Sequence, residues 1–267
     1  MTKRNLRLVI PSYITLVCFF LLWLAPIYVA VVKSFSVNGV KNYSYVLIHP
    51  KINYFEVVFN SVFVAAAAAL IIVIITTLAS FAFSKMRFRG RKTVYYLILA
   101  CLAIPVAAVT VPLFFTVNKL GFLDTYQGVI LPLVAFNAPF MLMMVKNYFD
   151  GIPEELLEAA RMDGYNTFQT YRIIMLPLSM PIIATIMVLT FVYSWNEYLI
   201  PLLMIRSESR YTVTLASRYF METTHQSPAD VARIYSALLL MTIPSVIIYL
   251  FSQKHLQSGI TAGAIKS

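Results

Sequence analysis

Residues that commonly perform chemistry are few and scattered in this 267-residue chain. The nearest approach to a phosphate-binding Gly-x-x-x-x-Gly-Lys-Ser/Thr loop comes from four residues near the end of the sequence, Gly259, Gly263, Lys266 and Ser267. It fails because two residues separate the second glycine from the lysine. The three histidines lack the spacing of metal ligands: they are His49, His225 and His255. No Gly-x-Ser-x-Gly nucleophile motif occurs, so we predict neither enzymatic activity nor a cofactor or metal site in this chain.

The composition indicates a different class of protein. Apolar residues make up 60% of the chain and charged residues 12%, against about 45–50% and 25% in average soluble domains. A water-soluble fold cannot bury so much apolar surface, which excludes a soluble globular enzyme and a disordered regulator. The net charge of +10 is best explained by loops that lie against anionic lipid headgroups. We therefore predict an integral membrane protein with lipid, and not nucleic acid, as its surroundings.

Six segments are apolar and nearly long enough to form membrane-spanning helices of about 20 residues. Their apolar residues run continuously rather than alternating, which favours helices over a β-barrel. The first exceeds the apolar core of about 7–15 residues in a cleaved signal peptide, so it is interpreted as an uncleaved span. Prolines within the spans fit both ordinary membrane helices and helices bent around a transient cavity. The segments are Leu8–Val32, Val62–Phe83, Val94–Val117, Val129–Val145, Leu178–Ile205 and Ile234–Phe251.

The distribution of positive charge predicts the orientation. The most basic loop, residues 84–93, contains five cations: Lys85, Arg87, Arg89, Arg91 and Lys92. Because Lys and Arg accumulate in cytoplasmic loops, this loop is predicted to be cytoplasmic. Six spans then place both termini and the loop 146–177 on the same side, with thirteen basic residues inside and eight outside. The predicted fold class is an all-α membrane protein with six transmembrane helices and cytoplasmic N- and C-termini.

Glu197 is the one acidic residue inside a predicted span. Carriers driven by protons or ions normally need several ionisable or ion-coordinating groups in the membrane core, so their scarcity points to an energy source outside this chain. Neighbouring aromatic residues resemble a membrane-interface belt, which favours an outer-interface or gate role for Glu197 over direct substrate contact. The residues predicted to line a substrate pathway or gate are Asn137, Asn196, Glu197 and Tyr198.

The most informative stretch is polar and lies between the fourth and fifth spans. Pro153 suits the first position of a helix whose acidic first turn favours the positive end of the helix dipole. Gly164 occupies the position where a left-handed residue ends a helix. Asn166 and Gln169 fit the capping box of a second short helix, which Pro177 is predicted to interrupt. Together these signals predict two short helices joined by a tight glycine turn at the membrane surface.

The side chains of this stretch allow two interpretations. The small residues Ala159 and Ala160 permit close approach by another protein surface. An amphipathic helix lying idle at the membrane interface is equally compatible with the composition. The apolar residues predicted to rest on the membrane bundle are Leu156, Leu157, Phe168, Tyr171 and Ile174.

The spacing of these residues resembles a known motif. Glu158-Ala159-Ala160, followed by Gly164 and then by Ile174-x-Leu176-Pro177, is similar to the EAA motif of the membrane-spanning subunits of binding-protein-dependent ABC importers. Asp163 also fits. Further stretches resemble the carbohydrate-importer branch, specifically MalG-like permeases that pair with a MalF-like partner; they are Asn60-Ser61, 88–91, 120–125, Leu131-Pro132, 195–198 and 259–264.

The resemblance implies a fold, partners and a mechanism. The fold would be that of a type I ABC importer transmembrane domain, a multi-pass protein of a bacterial or archaeal cytoplasmic (inner) membrane. An extracytoplasmic sugar-binding protein would deliver a sugar or oligosaccharide to the two paired permeases. A cytoplasmic ATPase dimer would bind ATP and Mg, so this chain itself would need no cofactor. The residues implied to couple to the ATPase are Glu158, Ala159, Ala160, Asp163 and Gly164.

The predicted organisation has three parts. Residues 1–53 form a cytoplasmic tail, the first transmembrane helix and an outer loop. Residues 54–253 form the importer transmembrane domain, with an EAA coupling loop at 150–177, and residues 254–267 form a cytoplasmic tail. The alternative function is a secondary carrier or channel subunit whose polar loop is incidental. An importer permease requires a co-purifying ATPase and a second permease, whereas the alternative requires neither.

Overall fold

The computed structural model describes the backbone of residues 3–222 and 227–264 and the side-chain surroundings of residues 11–221 and 227–250. Within these ranges every regular element is a helix, which confirms the predicted all-α class. His225, Lys266, Ser267 and the side chains of His255 and of the stretch 259–264 lie outside the described residues. The α-helices are α1 (Lys3–Ser34), α2 (Lys41–Leu47), α3 (Tyr54–Lys85), α4 (Arg91–Ala100), α5 (Val106–Lys119), α6 (Tyr126–Asp150), α7 (Glu155–Met162), α8 (Thr167–Gln169), α9 (Leu176–Leu178), α10 (Met180–Asn196), α11 (Leu199–Met204), α12 (Val213–Glu222) and α13 (Pro228–Ala264).

Four helical stretches are individually long and apolar enough to cross a membrane: Pro11–Ser34, Tyr54–Lys85, Tyr126–Asp150 and Pro228–Leu250. Two further candidates are pairs of helices, each bent sharply at a short break. The six predicted spans are therefore reached when each bent pair is counted as one span.

The third predicted span, Val94–Val117, is not a straight helix. A 3-10 turn, Cys101–Ala103, extends α4, and the axis then bends by 104° before α5. Ile104 and Pro105 at the break are both extended, with ψ angles of 116° and 130°. A proline disfavours helical geometry in the residue before it, which explains why the helix ends here.

The fifth predicted span, Leu178–Ile205, is not one continuous helix. Its long helix, α10, ends at Asn196, and Glu197 is extended with a ψ of 130° before the separate short helix α11 begins. A separate helical stretch, residues 167–178, precedes α10 and joins it through a 75° bend. Glu197 therefore lies at a break between helices and not inside one.

Contacts divide the chain into two compact units. The first comprises Met1–Tyr54 together with Ala216–Ile243. Within it the Asn42 side chain donates to the carbonyl oxygens of Ser34 and Ser36 at 2.9 and 3.0 Å, and the Ser236 hydroxyl also donates to Ser34, at 3.2 Å. The two bonds to Ser34 satisfy the last carbonyl of α1, which has no partner in its own helix.

The second unit comprises Phe55–Leu215 and Pro244–Ser267. Helices α6 and α10 pack against each other, and Met141 and Ile186 of this pair are fully buried. Helix α3 contributes buried alanines, including Ala65 and Ala68, whose small side chains allow neighbouring backbones to approach closely. The predicted coupling loop lies in this unit, directly after α6.

Candidate functional site

The first helix of the coupling segment (residues 150–177) is α7, and it is strongly two-sided. Leu157 and Ala160 are 5% and 1% exposed, while the residues between and around them are exposed to solvent. The helix begins at Glu155, two residues later than predicted from Pro153. The carbonyl of Glu154 accepts the first bonds, from the amides of Leu157 at 2.9 Å and Glu158 at 3.0 Å.

The glycine turn has the predicted geometry. Gly164 has a φ of +82°, the left-handed conformation that favours glycine. Its amide donates to the Arg161 carbonyl at 3.1 Å, and the Tyr165 amide donates to the Ala160 carbonyl at 2.9 Å. This pair of bonds is a Schellman motif, which satisfies the last carbonyls of α7. The prediction of a left-handed helix stop at Gly164 is confirmed.

The second helix of the segment begins with the predicted capping box. The Gln169 amide donates to the Asn166 side chain at 2.9 Å, and the Asn166 amide donates to the Gln169 side chain at 2.8 Å. After α8 the chain continues as a π-helix, Thr170–Met175, and then as α9.

The interruption predicted at Pro177 falls two residues later, because the helical stretch continues to Leu178 and bends at Ser179. A proline lacks an N–H and clashes with the carbonyl four residues earlier in a regular α-helix. The π-helical turns that precede Pro177 contain that carbonyl, at Ile173. Their wider i→i+5 geometry accommodates Pro177 itself, and the helix bends two residues later.

Hydrogen bonds attach the coupling segment and the residue after it, Leu178, to other helices of its unit. The Lys85 ammonium group at the end of α3 donates to the Ile152 carbonyl at 2.6 Å. The Tyr171 hydroxyl lies 2.9 Å from the Thr77 hydroxyl, also in α3, in a buried contact. The Tyr148 hydroxyl of α6 donates to the carbonyl of Leu178 at 3.1 Å. The segment is therefore attached near its start, in its middle and at its end.

The end of α6, where the segment starts, is fixed by a carboxylate. The Lys146 ammonium donates to Asp150 Oδ2 at 2.6 Å, and the Ser84 hydroxyl donates to Oδ1 at 2.7 Å. Because Ser84 belongs to α3, this carboxylate joins α3 and α6 at the point where the chain leaves the bundle.

The outward face of the segment is exposed and partly apolar. Four of the five predicted coupling residues are exposed: Glu158, Ala159, Asp163 and Gly164. The fifth, Ala160, is buried within its own chain. Met162 is 88% exposed, an unusual value for a large apolar side chain.

The apolar residues predicted to rest on the bundle divide between the two faces. Leu157 and Tyr171 are buried as predicted, and Ile174 is partly buried. Leu156 and Phe168 are instead 42% and 63% exposed. Leu156 is exposed because consecutive positions of a helix are rotated by about 100°, so that Leu156 and Leu157 cannot both face the bundle.

An open cavity of about 630 Å³ lies between the end of α3 and the coupling segment. The α3 side contributes Phe81, Lys85 and Arg87, and the segment contributes residues that include Glu158 and Arg161. The lining is therefore mixed in charge, which suits a complementary protein surface better than a single small ion.

The predicted substrate-pathway residues are not joined to one another by hydrogen bonds in the described chain. Asn137 donates from its side chain to the Leu133 carbonyl at 2.7 Å, and Asn196 donates to the Val192 carbonyl at 2.8 Å. Both bonds return to the residue's own helix, four positions earlier. Tyr198 is 38% exposed. A role of these residues in a pathway stays a prediction.

Glu197 caps a helix. Its Oε1 accepts hydrogen bonds from the amides of Leu199 at 2.9 Å and Ile200 at 3.2 Å, the first two residues of α11. Its backbone carbonyl accepts from the Thr214 hydroxyl at 2.7 Å. The carboxylate thus satisfies amides that a helix start leaves without partners and complements the helix dipole.

A polar cluster that motif-based reasoning did not assign lies at the opposite end of α6 from the coupling segment. Its members, the end cluster, come from three separate parts of the sequence: Asn60, Ser61, Asp124, Tyr126, Ser207 and Arg210. With 25 residues, α6 separates the two sites by about 37 Å at 1.5 Å per residue.

Asn60 is a central member of the end cluster. It accepts from the Tyr126 hydroxyl at 2.7 Å and donates to the carbonyls of Ser209 at 2.9 Å and Tyr211 at 3.0 Å. Ser61 beside it accepts from the Val213 amide at 2.7 Å. The signals available in the sequence were the family-like stretches Asn60-Ser61 and 120–125, neither of which indicates a contact with the other.

Asp124 is the other centre of the end cluster. Its Oδ1 accepts from the amides of Arg206 and Ser207, each at 3.0 Å, and its Oδ2 accepts from the Arg210 guanidinium at 2.9 Å. Burial alone would raise the pKa of the Asp124 carboxyl. The hydrogen bonds from Ser207 and Arg206 and the charge of Arg210 outweigh it and lower the pKa from 3.8 to about 2.

Among the described residues, no group of three or more His, Cys, Asp or Glu side chains is arranged to hold a metal ion.

The fold matches a solved structure. A bacterial ABC transporter described as involved in the import of the acidic polysaccharide alginate superposes on the chain with a TM-score of 0.82. The match covers 95% of this chain and 98% of that one, at 24% sequence identity. At this identity the likeness establishes the fold, which is that of the membrane-embedded chain of an ABC transporter.

Sequence comparison gives the family. The model for binding-protein-dependent transport system inner membrane components matches residues 75–262. The trehalose/maltose transport system permease protein MalG of Thermococcus litoralis is 31% identical over 229 residues, which are 86% of this chain and 82% of the relative. The arabinooligosaccharides transport system permease protein AraQ of Bacillus subtilis is 30% identical over 80% of this chain and 74% of its own. The chain belongs to this family of inner membrane components, which confirms the resemblance found in the sequence.

Proposed function

We propose that this chain is the membrane-spanning permease subunit of an ABC importer for a sugar or oligosaccharide, coupled through residues 150–177 to a separate ATPase subunit. Family membership and the carbohydrates named for both relatives support this function. The observation that carries the coupling role is the two-sided coupling segment, attached on one face and exposed on the other.

The attachments give the segment a mechanical role. The bonds of Lys85 to Ile152 and of Thr77 to Tyr171 link it to α3, and the bond from Tyr148 links it to α6. Buried Leu157 and Ala160 prevent α7 from sliding, because displaced core side chains lose their packing. A force applied to the exposed face is therefore transmitted to α3 and α6 and does not simply deform the loop.

The coupling residues have separate tasks in this mechanism. Glu158, Ala159, Asp163 and Gly164 lie on the exposed side and enter a cleft of the ATPase. Ala160 contacts the chain's own bundle, where its small size allows α7 to pack closely. The left-handed turn at Gly164 fixes the angle between α7 and α8. ATP and Mg are bound by the ATPase dimer, and this chain performs no catalysis.

The assembly requires further partners. A second, MalF-like permease completes the translocation pathway, and an extracytoplasmic sugar-binding protein delivers the substrate. The coupling segment, the basic loop 84–93 and both termini face the cytoplasm of a bacterial or archaeal cell. Asn137, Asn196, Glu197 and Tyr198 are the proposed pathway or gate residues, with Glu197 acting through the position of α11.

Charge reversal of Glu158 tests the coupling role. Glu158→Lys is expected to weaken co-purification of the ATPase and to lower sugar uptake. The matched control is Glu208→Lys, an exposed acidic residue of the loop after α11, which should leave ATPase co-purification unchanged. Equal ATPase recovery in the wild type and in Glu158→Lys would contradict docking through α7.

Reconstitution of the chain by itself in vesicles distinguishes the importer from a carrier. An importer permease without its ATPase should not accumulate sugar when only an ion gradient is supplied. Uphill uptake under those conditions would identify a secondary carrier and overturn the proposal.

A further inference from the structure

The basic loop (residues 84–93) connects α3 to α4 and holds five cations within eight positions. Two of these five cationic side chains form hydrogen bonds within the chain. Lys85 donates to the Ile152 carbonyl, and the Arg91 guanidinium donates to the Met86 carbonyl at 2.8 Å and lies 3.5 Å from that of Ser84. These two side chains give the loop its shape.

The other three cationic side chains form no such bonds. Arg87, Arg89 and Lys92 are exposed and form no hydrogen bond or ion pair with any residue that the structure describes. Three free positive charges within six positions repel one another and are unfavourable unless an anion is shared between them. The loop therefore has the electrostatics of an anion site.

Exposed apolar side chains lie close to these charges in the sequence. Met86 and Phe88 within the loop are 41% and 43% exposed, and Tyr96 and Leu97 of the following helix are 65% and 64% exposed. The loop also joins the end of the apolar helix α3 to the start of a second apolar stretch. Cations and apolar groups at the same level match the boundary between lipid headgroups and acyl chains.

An open surface depression of about 450 Å³ lies along the loop. Arg87 and Lys92 line it together with the apolar ring of Phe88 and with Gly90. Pockets for small ligands occupy about 300–1,000 Å³, so this volume is sufficient for a glycerophosphate headgroup.

We propose that the basic loop binds the phosphate headgroup of an anionic membrane phospholipid. Arg87, Arg89 and Lys92 pair with the phosphate oxygens, and Phe88 and Met86 contact the upper acyl chains. A lipid is favoured over an acidic protein surface because the free charges lie next to exposed apolar groups and at the ends of apolar helices. This inference requires only that the chain is embedded in a membrane.

The position of the loop gives the bound lipid an influence on the coupling segment. Arg87 lines both the depression along the basic loop and the larger cavity beside α7. Lys85, two positions earlier, is bonded to the Ile152 carbonyl at the start of that segment. A headgroup that neutralises Arg87 therefore changes the charge that faces Glu158.

The test compares lipid binding by the full chain in phosphatidylcholine nanodiscs containing a minor fraction of spin-labelled phosphatidylglycerol. The triple variant Arg87→Gln, Arg89→Gln, Lys92→Gln is expected to lower the affinity for the labelled lipid roughly tenfold or more, since each cation near a membrane surface contributes to anion attraction. The control variant Lys41→Gln, Lys51→Gln, Lys119→Gln removes the same charge from other exposed positions and should retain wild-type binding.

A variant that conserves the charge distinguishes a loss of lipid binding through lost charge from a general effect of the substitutions on folding. Arg87→Lys, Arg89→Lys, Lys92→Arg keeps all three cations and should retain most of the bound phosphatidylglycerol. Wild-type lipid binding in the Gln variant, or an equal loss in the control variant, would overturn the site. Displacement of the spin label by inorganic phosphate at millimolar concentration would also overturn it, because the ligand would then be a soluble anion and not a lipid.

Discussion

Asp124 and Ser207 are 83 residues apart in the sequence and are joined by two hydrogen bonds. The Ser207 amide donates to Asp124 Oδ1 at 3.0 Å, and its hydroxyl donates to Oδ2. Arg210 adds an ion pair to the same carboxylate at 2.9 Å. One carboxylate therefore fastens the segment after α11 to the turn before α6, at the far end of α6 from the coupling segment.

Replacement of Asp124 by Asn should destabilise the chain at neutral pH. The charged acceptor is lost, and hydrogen bonds to charged groups contribute about 1.5–3 kcal/mol each when well shielded; partial exposure at this site favours the lower part of that range. We expect a lower melting temperature in detergent. The charge-preserving variant Asp124→Glu should lose less stability if the carboxylate itself is what matters, and an unchanged melting temperature in Asp124→Asn would contradict this.

Acid should remove the advantage conferred by Asp124. The pKa of this carboxyl is about 2 in the folded chain, below its ordinary value of 3.8. A lowered folded-state pKa contributes stability above the unfolded value and loses it as the pH falls through the folded value. The difference in melting temperature between the wild type and Asp124→Asn should therefore be constant at neutral pH and shrink between about pH 4 and pH 2. A constant difference across that range would contradict the lowered pKa.

Gly164 should tolerate Asn better than Val. No heavy atom lies within 4 Å of a Cβ built at this position, so the cost of substitution comes from the φ of +82° alone. The strain of a β-branched residue in this conformation lowers the stability of the fold by about 1–3 kcal/mol, whereas Asn adopts the conformation more readily. Under the proposed function, sugar uptake and ATPase co-purification should fall in Gly164→Val and largely persist in Gly164→Asn, with equal membrane insertion. Full activity of the Val variant would exclude a role for this turn.

The coupling segment was largely predictable because its signals are local. A left-handed glycine and a capping box depend on residues at most a few positions apart, so Gly164, Asn166 and Gln169 define the turn and the second helix start within the sequence itself. For Pro105 the sequence left a straight and a bent helix equally open, because membrane helices often tolerate proline. Whether a proline bends its helix depends on neighbouring packing that the sequence does not display.

The end cluster illustrates what sequence patterns cannot supply. Asn60 and Asp124 find their partners 149 and 83 residues away, and no periodicity or spacing connects such distant positions. Glu197 is an intermediate case. Its aromatic neighbours suggested a place at the membrane interface, but its role as a cap depends on α10 ending at Asn196, which the continuous apolar run concealed.

Glu197→Gln and Glu197→Ala should separate helix capping from a charge requirement. The Oε1 atom that accepts from Leu199 and Ile200 is retained in Gln, so capping should persist, while Ala removes it at a cost of about 0.5–2 kcal/mol. We expect the melting temperature to fall in the Ala variant and to stay near the wild-type value in the Gln variant. If uptake is lost in Gln while the melting temperature is unchanged, the charge itself acts in the pathway.

Met162 should contribute to partner binding without contributing to folding. Its side chain is 88% exposed, so Met162→Ala removes little packing from the chain and should leave the melting temperature unchanged. Burial of the same side chain against an ATPase is worth about 1.5–3 kcal/mol, which predicts roughly a tenfold or greater loss of ATPase affinity. Met221→Ala, an exposed methionine of α12, is the matched control and should keep full affinity. Equal ATPase binding by the two variants would show that the exposed apolar face of α7 does not enter the contact, and a fall in the melting temperature of Met162→Ala would show instead that this side chain supports the chain's own fold.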